Sequence, residues 1–205
     1  MTETEKMLAG KIYDPTDEPL AKRRTRAHDL CTEYNRTPES DGETRAAILR
    51  ELAPNLGDGA YLQGPVYFDY GLYTVTGKNF YANFNLTVLD CAPVTIGDNV
   101  FMGVNCTLVT PVHPFMYKER NPKTKPNGAI YDDEYAKPIT IGDNCWLASN
   151  VTVIGGVTIG SGCVIGAGSV VTRYIPPDSL AVGNPCRVIR KITEKDSIAL
   201  KKELF

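Results

Sequence analysis

A stride of six residues runs through the second half of the chain and limits its fold more than any other feature. From residue 139 the sequence reads ITIGDN, CWLASN, VTVIGG, VTIGSG, CVIGAG and SVVTRY. Each block carries an aliphatic residue at its third place: Ile141, Leu147, Val153, Ile159, Ile165 and Val171. Each opens with a small or medium residue: Ile139, Cys145, Val151, Val157, Cys163 and Ser169. The same register fits VTIGDN, VFMGVN and CTLVTP over 94–111. A looser version fits 74–91, with Thr76, Ala82 and Val88 at the aliphatic place. Such a stride excludes an amphipathic helix, whose period is 3.6. It suits short extended segments joined by tight turns, where Gly and Asn tolerate positive φ. Three segments close a triangular coil, and stacked coils pair strand on strand at about 4.8 Å. The predicted class is therefore mainly β, a parallel β-helix whose aliphatics fill a prism. Cys106, Cys145 and Cys163 fall at the first place and read as core packing, since free cysteine behaves as a small buried hydrophobe.

Two stretches break the stride. Residues 1–57 read as a helical subdomain. One helix lies in DEPLAKRRTRAHDLCTEYN, with Asp17 as candidate N-cap, Pro19 near the first turn, and Leu30 and Tyr34 four apart. A second, GETRAAILRELA, is ended by Pro54. The other break is 111–138, polar, proline-rich and without period. A loop of this length cannot fit inside a coil, so it must protrude, and such loops are usually functional or disordered. The expected division is a helical subdomain at 1–57, the β-helix at 58–190 with its loop at 111–138, and a tail at 191–205.

Composition excludes several functions. The formal charge of -2 and pI of about 5.7 give no footprint for nucleic acid or an anionic membrane. No apolar run approaches the ~20 residues that span a bilayer, and MTETEKMLAGK lacks the apolar core of a signal peptide. A cytoplasmic location is expected. Six cysteines without CxxC spacing, and only two histidines, argue against a metal site.

The motifs VYFDYG, NFYANFNLTVLD, the HP of the long loop, YAKPITIGDNCW, VIGAGSVVT and GNPCRVIRKI occur in order. They follow EKMLAGKIYDPTDEPL and RTRAHDLCTEYN. This set resembles the maltose and galactoside acetyltransferases of the hexapeptide-repeat acyltransferase superfamily, over nearly the whole chain. The resemblance implies a left-handed coil, a hand that the period alone does not reveal. It also implies a homotrimer with acetyl-CoA sites between subunits and a sugar acceptor.

Acetyl transfer to a hydroxyl needs a base, donors for the oxyanion and an aligned thioester. His113, stiffened by prolines in PVHPF, matches the family's catalytic histidine, while His28 lies in a charged helical segment and reads as surface or interhelical. Asn83 matches an asparagine that resembles an oxyanion or acetyl-CoA contact. Glu134 stands where maltose-type members carry Glu and galactoside-type members Met; as a carboxylate it would orient His113 or accept a bond from the sugar, the alternative being a solvated loop acid. Asp69 falls at an acceptor position that is Ser in galactoside-type members. Cys91 stands where those members carry an acceptor-binding Asp, and Asp90 beside it should face the other way. Pro15 takes the place of another acceptor Asp, leaving Asp14 or Asp17 nearby. Ser149, Ala167, Thr172 and Arg173 match pantetheine and nucleotide contacts. Arg187 and Arg190 match arginines near the CoA phosphates, a task suited to the guanidinium fork. Trp146 points outward, as an active-site wall or a subunit contact.

The same prism can carry other functions. A zinc carbonic anhydrase needs three histidine ligands, and this chain has two. A xenobiotic or serine acetyltransferase, or a non-catalytic trimeric prism, is the remaining alternative.

Overall fold

The computed structural model describes residues 1–204. Its body is a left-handed parallel β-helix with three flat faces, visited by the chain in the same order at every coil. The first face stacks Tyr61–Leu62, Tyr81–Ala82, Phe101–Met102, Trp146–Leu147, Val164–Ile165 and Ser179–Val182. The second stacks Val66–Phe68, Leu86–Leu89, Thr107–Val109, Thr152–Ile154 and Val170–Val171. The third stacks Thr74–Thr76, Val94–Ile96, Ile139–Ile141 and Thr158–Ile159. Register follows the six-residue stride: Ile141 pairs with Ile96 and Ile159, and Leu147 with Met102 and Ile165. The third-place aliphatics are buried, as are Cys106, Cys145 and Cys163.

Two of the three corners are built from asparagine. Asn79, Asn99 and Asn144 turn the chain from third face to first, and Asn85, Asn105 and Asn150 from first to second, all with positive φ. Their side-chain amides form ladders along the prism, as from Asn85 to Asn105 (2.9 Å) and from Asn105 to Asn150 (3.0 Å). Left-handed backbone and a stacking amide are both met by Asn, which explains its choice at these turns. The second–third corner has no such ladder in its lower coils. There the buried Asp90 carboxylate accepts bonds from the N–H groups of Tyr70 (2.8 Å), Gly71 (3.1 Å) and Tyr73 (3.1 Å), and from the Thr74 hydroxyl (3.1 Å). Asp90 thus faces inward and away from Cys91, as strand alternation required.

The N-terminal region holds α1 (Glu3–Leu8), α2 (Glu18–Arg36) and α3 (Gly42–Leu52). The short α1, with a capping box at Thr2 and Glu5, has no counterpart in the sequence reading. Asp17 takes the N-cap position of α2, but its side chain makes no capping bond. Ala27, Leu30, Cys31 and Tyr34 form one helical stripe that shares a continuous core with the prism. Asn35 bonds both backbone groups of Val66, and Arg45 donates to the carbonyls of Leu62 and Gln63. The helices thereby satisfy the open strand edges of the first coil. At the far end Arg187–Lys191 folds back antiparallel on Ser179–Val182. No helix among the described residues is long and apolar enough to cross a membrane.

Candidate active site

The long loop leaves the prism between Thr107–Val109 and Ile139–Ile141, at the second–third corner. It is more ordered than its lack of period suggested. Pro111–Val112 pairs antiparallel with Tyr135–Ala136, Lys123–Thr124 pairs with Ile130–Tyr131, and a helical turn, α4, spans Tyr117–Arg120. The first of these ladders zips the base of the loop. It brings His113, one residue past Val112, beside Glu134, one residue before Tyr135.

Glu134 Oε2 lies 3.7 Å from His113 Nε2, and Asp132 Oδ2 lies 3.9 Å from His113 Nδ1. The imidazole is bracketed by two carboxylates and half exposed. Both distances exceed a direct hydrogen bond, so the ring nitrogens stay free for another partner. Glu134 is 9% exposed rather than a solvated loop acid. Burial raises its carboxyl above the ordinary value, and the Tyr13 hydroxyl and His113 pull it partly back. The Tyr13 hydroxyl donates to Glu134 Oε1.

Asp69 and Cys91 each follow a second-face strand and so reach the same corner. The Cys91 thiol donates to Asp69 Oδ2 (3.4 Å) and lies against Tyr13. Burial, with the Glu134 and Asp69 carboxylates, pushes that thiol well above the ordinary range. On its other side Asp69 Oδ1 faces His28 Nε2 at 3.5 Å, so His28 meets the site's border. A cavity of about 360 Å³ is lined by Asp69 together with His28, Thr32, Tyr67, Phe68 and Leu89. Asp14 is tied to the loop by an ion pair with Lys125, which with a Thr16 bond holds its carboxyl below the ordinary value despite burial.

The other sequence candidates lie elsewhere. Asn83, Ser149 and Ala167 stand on the first–second corner, since each falls between a first-face and a second-face strand. The Asn83 carbonyl Oδ1 accepts from the Phe84 N–H (2.8 Å). Thr172 and Arg173 are exposed on the second–third corner, further along the prism than His113. Arg187 and Arg190 are exposed on the returning strand. Arg190 forms a two-pronged pair with Asp196 (2.6 and 2.8 Å). Trp146 is exposed on the first face.

Tyr13 and Asp132 were not singled out from sequence. Tyr13 sits 121 residues from Glu134 in a segment without period, so no local pattern marks it. Asp132 was within reach: it lies two residues from Glu134 in a run of three acids, YDDEY.

The prism, its stride and the loop that projects from one corner define a hexapeptide-repeat transferase. Residues 6–57 match the maltose acetyltransferase hexapeptide capping motif. Residues 138–173 match the bacterial transferase hexapeptide (six repeats), and residues 93–113 the hexapeptide repeat of succinyl-transferase. The galactoside O-acetyltransferase of Escherichia coli (strain K12) is 44% identical over 196 residues, covering 96% of this chain and 92% of that one. The crystal structure of a maltose O-acetyltransferase from Clostridium difficile 630 superposes with a TM-score of 0.87 at 44% identity, over 95% of this chain and 99% of the other. A hexapeptide-repeat acetyltransferase from Vibrio cholerae O1 biovar eltor, complexed with acetyl coenzyme A, gives 0.82 at 34% identity, over 95% and 100%. The chain belongs to the maltose and galactoside O-acetyltransferase family.

Proposed function

We propose that the protein is an acetyl-CoA-dependent O-acetyltransferase acting on a sugar hydroxyl, glucose- or maltose-like, by direct transfer with His113 as general base. The observation that carries this reading is the half-exposed His113 ring with Glu134 Oε2 at 3.7 Å. The acetyl-CoA bound in the Vibrio cholerae relative supports the donor. Acetyl-CoA supplies the activated acyl group as a thioester. His113 takes the proton of the sugar hydroxyl as its oxygen attacks, and returns it to the departing CoA sulfur. Glu134 and Asp132 stabilise the imidazolium in between. Asn83 and neighbouring backbone donors would meet the developing oxyanion. Ser149, Ala167, Thr172 and Arg173 would line the pantetheine path, and Arg187 and Arg190 the phosphates. Cys91 is buried and its thiol is pushed up, which makes it a poor nucleophile and favours direct transfer.

His113 and Asn83 occupy different corners, with a second-face strand between them. A site that uses both requires unlike corners of neighbouring subunits to meet. A closed ring of subunits provides this at each junction, and the resemblance to the family implies that the ring is a homotrimer with intersubunit sites. Asp69 and Asp14 would face the acceptor, and the buried Cys91 would act on it through Asp69, to which its thiol donates. Glu134, Asp69 and Cys91 follow the maltose-type rather than the galactoside-type pattern.

The test is thioester consumption by purified protein with glucose, maltose and a β-galactoside, products mapped by NMR. Glucose or maltose should show the higher kcat/KM, with acetylation on a primary hydroxyl. His113→Ala should remain folded and lose ~10²–10⁴-fold in turnover. Near-normal turnover of that variant would overturn the mechanism, and a clear galactoside preference would overturn the acceptor assignment.

A further inference from the structure

The sequence places no chemistry on Tyr13, yet this residue bonds the loop at three points. We infer that Tyr13 is a positioning residue that holds Glu134 in the orientation from which it faces His113. The inference rests on the proposal above that His113 is the base, and extends it to a group that touches neither substrate.

Three contacts join Tyr13 to Glu134. The Tyr13 N–H donates to the Glu134 carbonyl at 2.9 Å, and the Glu134 N–H donates to the Tyr13 carbonyl at 3.2 Å. The third is the Tyr13 hydroxyl on Glu134 Oε1. The backbone pair sets the position of Glu134, and the hydroxyl sets the rotation of its carboxylate. With Oε1 engaged, Oε2 is the oxygen turned to His113. Tyr13 is 2% exposed and Cys91 5%, so water does not compete for Oε1. Burial raises the Tyr13 hydroxyl far above its ordinary value, which keeps it a donor at every working pH.

The surroundings pin the segment that carries Tyr13. Asp14 pairs with Lys125 of the loop and its N–H donates to Glu3 of α1 (2.8 Å). A β-carbon on Gly10 would lie 3.2 Å from the Ala136 carbonyl, so segment and loop are in close contact. The Tyr13 ring packs with Met7, Leu20, Tyr70, Ala92 and Ala136. Ring and hydroxyl therefore have separable tasks. The ring belongs to a small apolar cluster, and the hydroxyl to the carboxylate.

Tyr13→Phe tests this, because it keeps the ring and deletes the donor. The expected result is a kcat lower by about tenfold to a hundredfold, with KM for acetyl-CoA unchanged. The groups facing the Glu134 carboxylate are Tyr13 from the N-terminal segment, Cys91 from the end of Leu86–Leu89, and His113 and Asp132 from the loop. Loss of the Tyr13 donor removes a stabiliser of ionised Glu134, so the acid limb of the kcat profile should move to higher pH. A purely structural role would lower the melting temperature without moving that limb. A wild-type kcat with an unmoved acid limb would overturn the inference.

A double-mutant cycle with Glu134→Gln serves if Tyr13→Phe is poorly stable. In the Glu134→Gln background, Tyr13→Phe should cost little further kcat, because its effect is routed through the carboxylate. Fully additive losses would overturn the inference. The two readings fail separately. An active His113→Ala refutes the general base whatever Tyr13 does, whereas an inactive His113→Ala beside a silent Tyr13→Phe refutes the positioning role alone.

Discussion

His113 and Asn83 stand on different corners of one prism, the first at the base of the long loop and the second at the turn between Tyr81–Ala82 and Leu86–Leu89. If both serve one site, that site is shared between subunits. Mixing equal amounts of unfolded His113→Ala and Asn83→Ala chains and refolding them together should restore about a quarter of wild-type activity, from junctions that pair an intact corner of each kind. Activity no higher than that of the separate variants would mean that the two residues never share a site.

The pH profile should report Glu134. Its carboxyl is raised by burial, so its ionised form appears only above the ordinary carboxylate range, and kcat should fall as pH drops through that raised value. Glu134→Gln should remove this dependence and lower the rate. Stability runs the other way. A folded value above the unfolded 4.5 means that Glu134 contributes stability fully below 4.5, and that this contribution is lost as pH rises through the folded value. Chemical denaturation of wild type and Glu134→Gln across that window measures the difference.

Arg187 and Arg190 should differ. Arg190 is already held by Asp196, whose carboxyl is drawn down to about 2 by that contact, whereas among the described residues the Arg187 guanidinium bonds only the Cys186 carbonyl. Arg187→Ala should weaken acetyl-CoA, by ~1.5–3 kcal/mol for a charge-assisted phosphate bond, and leave a truncated thioester without the nucleotide unaffected. Arg190→Ala should show the smaller donor effect. Equal losses with both donors would make Arg187 structural.

Asn105 lies in the middle of an amide ladder with φ of +59°. Asn105→Ala should destabilise by ~1–2 kcal/mol from left-handed strain alone, with the lost ladder bonds in addition. Asn105→Gly should recover the strain component only. Thermal unfolding of the two variants tests the separation, and equal melting temperatures would refute it.

Much of the architecture could be read from residue order. The stride of six named the inward residues, and Ile141, Leu147, Val153, Ile159, Ile165 and Val171 are all buried. The alternation that turned Asp90 away from Cys91 followed from strand geometry alone. The interruption at 111–138 marked the loop, and PVHPF marked its histidine. The surroundings of that histidine were not legible. Nothing beside Glu134 in the sequence separates a buried carboxylate from a solvated one, because burial by a segment 121 residues away leaves no trace in neighbouring residues.

By itself the sequence determined the coil, its inward faces and its turns, since these depend on a repeat of period six and on which residues accept positive φ. It also carried the family, through an ordered set of local motifs. Only the tertiary structure decided which carboxylates meet His113, that Tyr13 grips Glu134, and that His113 and Asn83 take separate corners. Those relations arise where the periodic scaffold is interrupted. There the contacts join distant parts of the chain, and their partners are selected by packing and charge rather than by spacing.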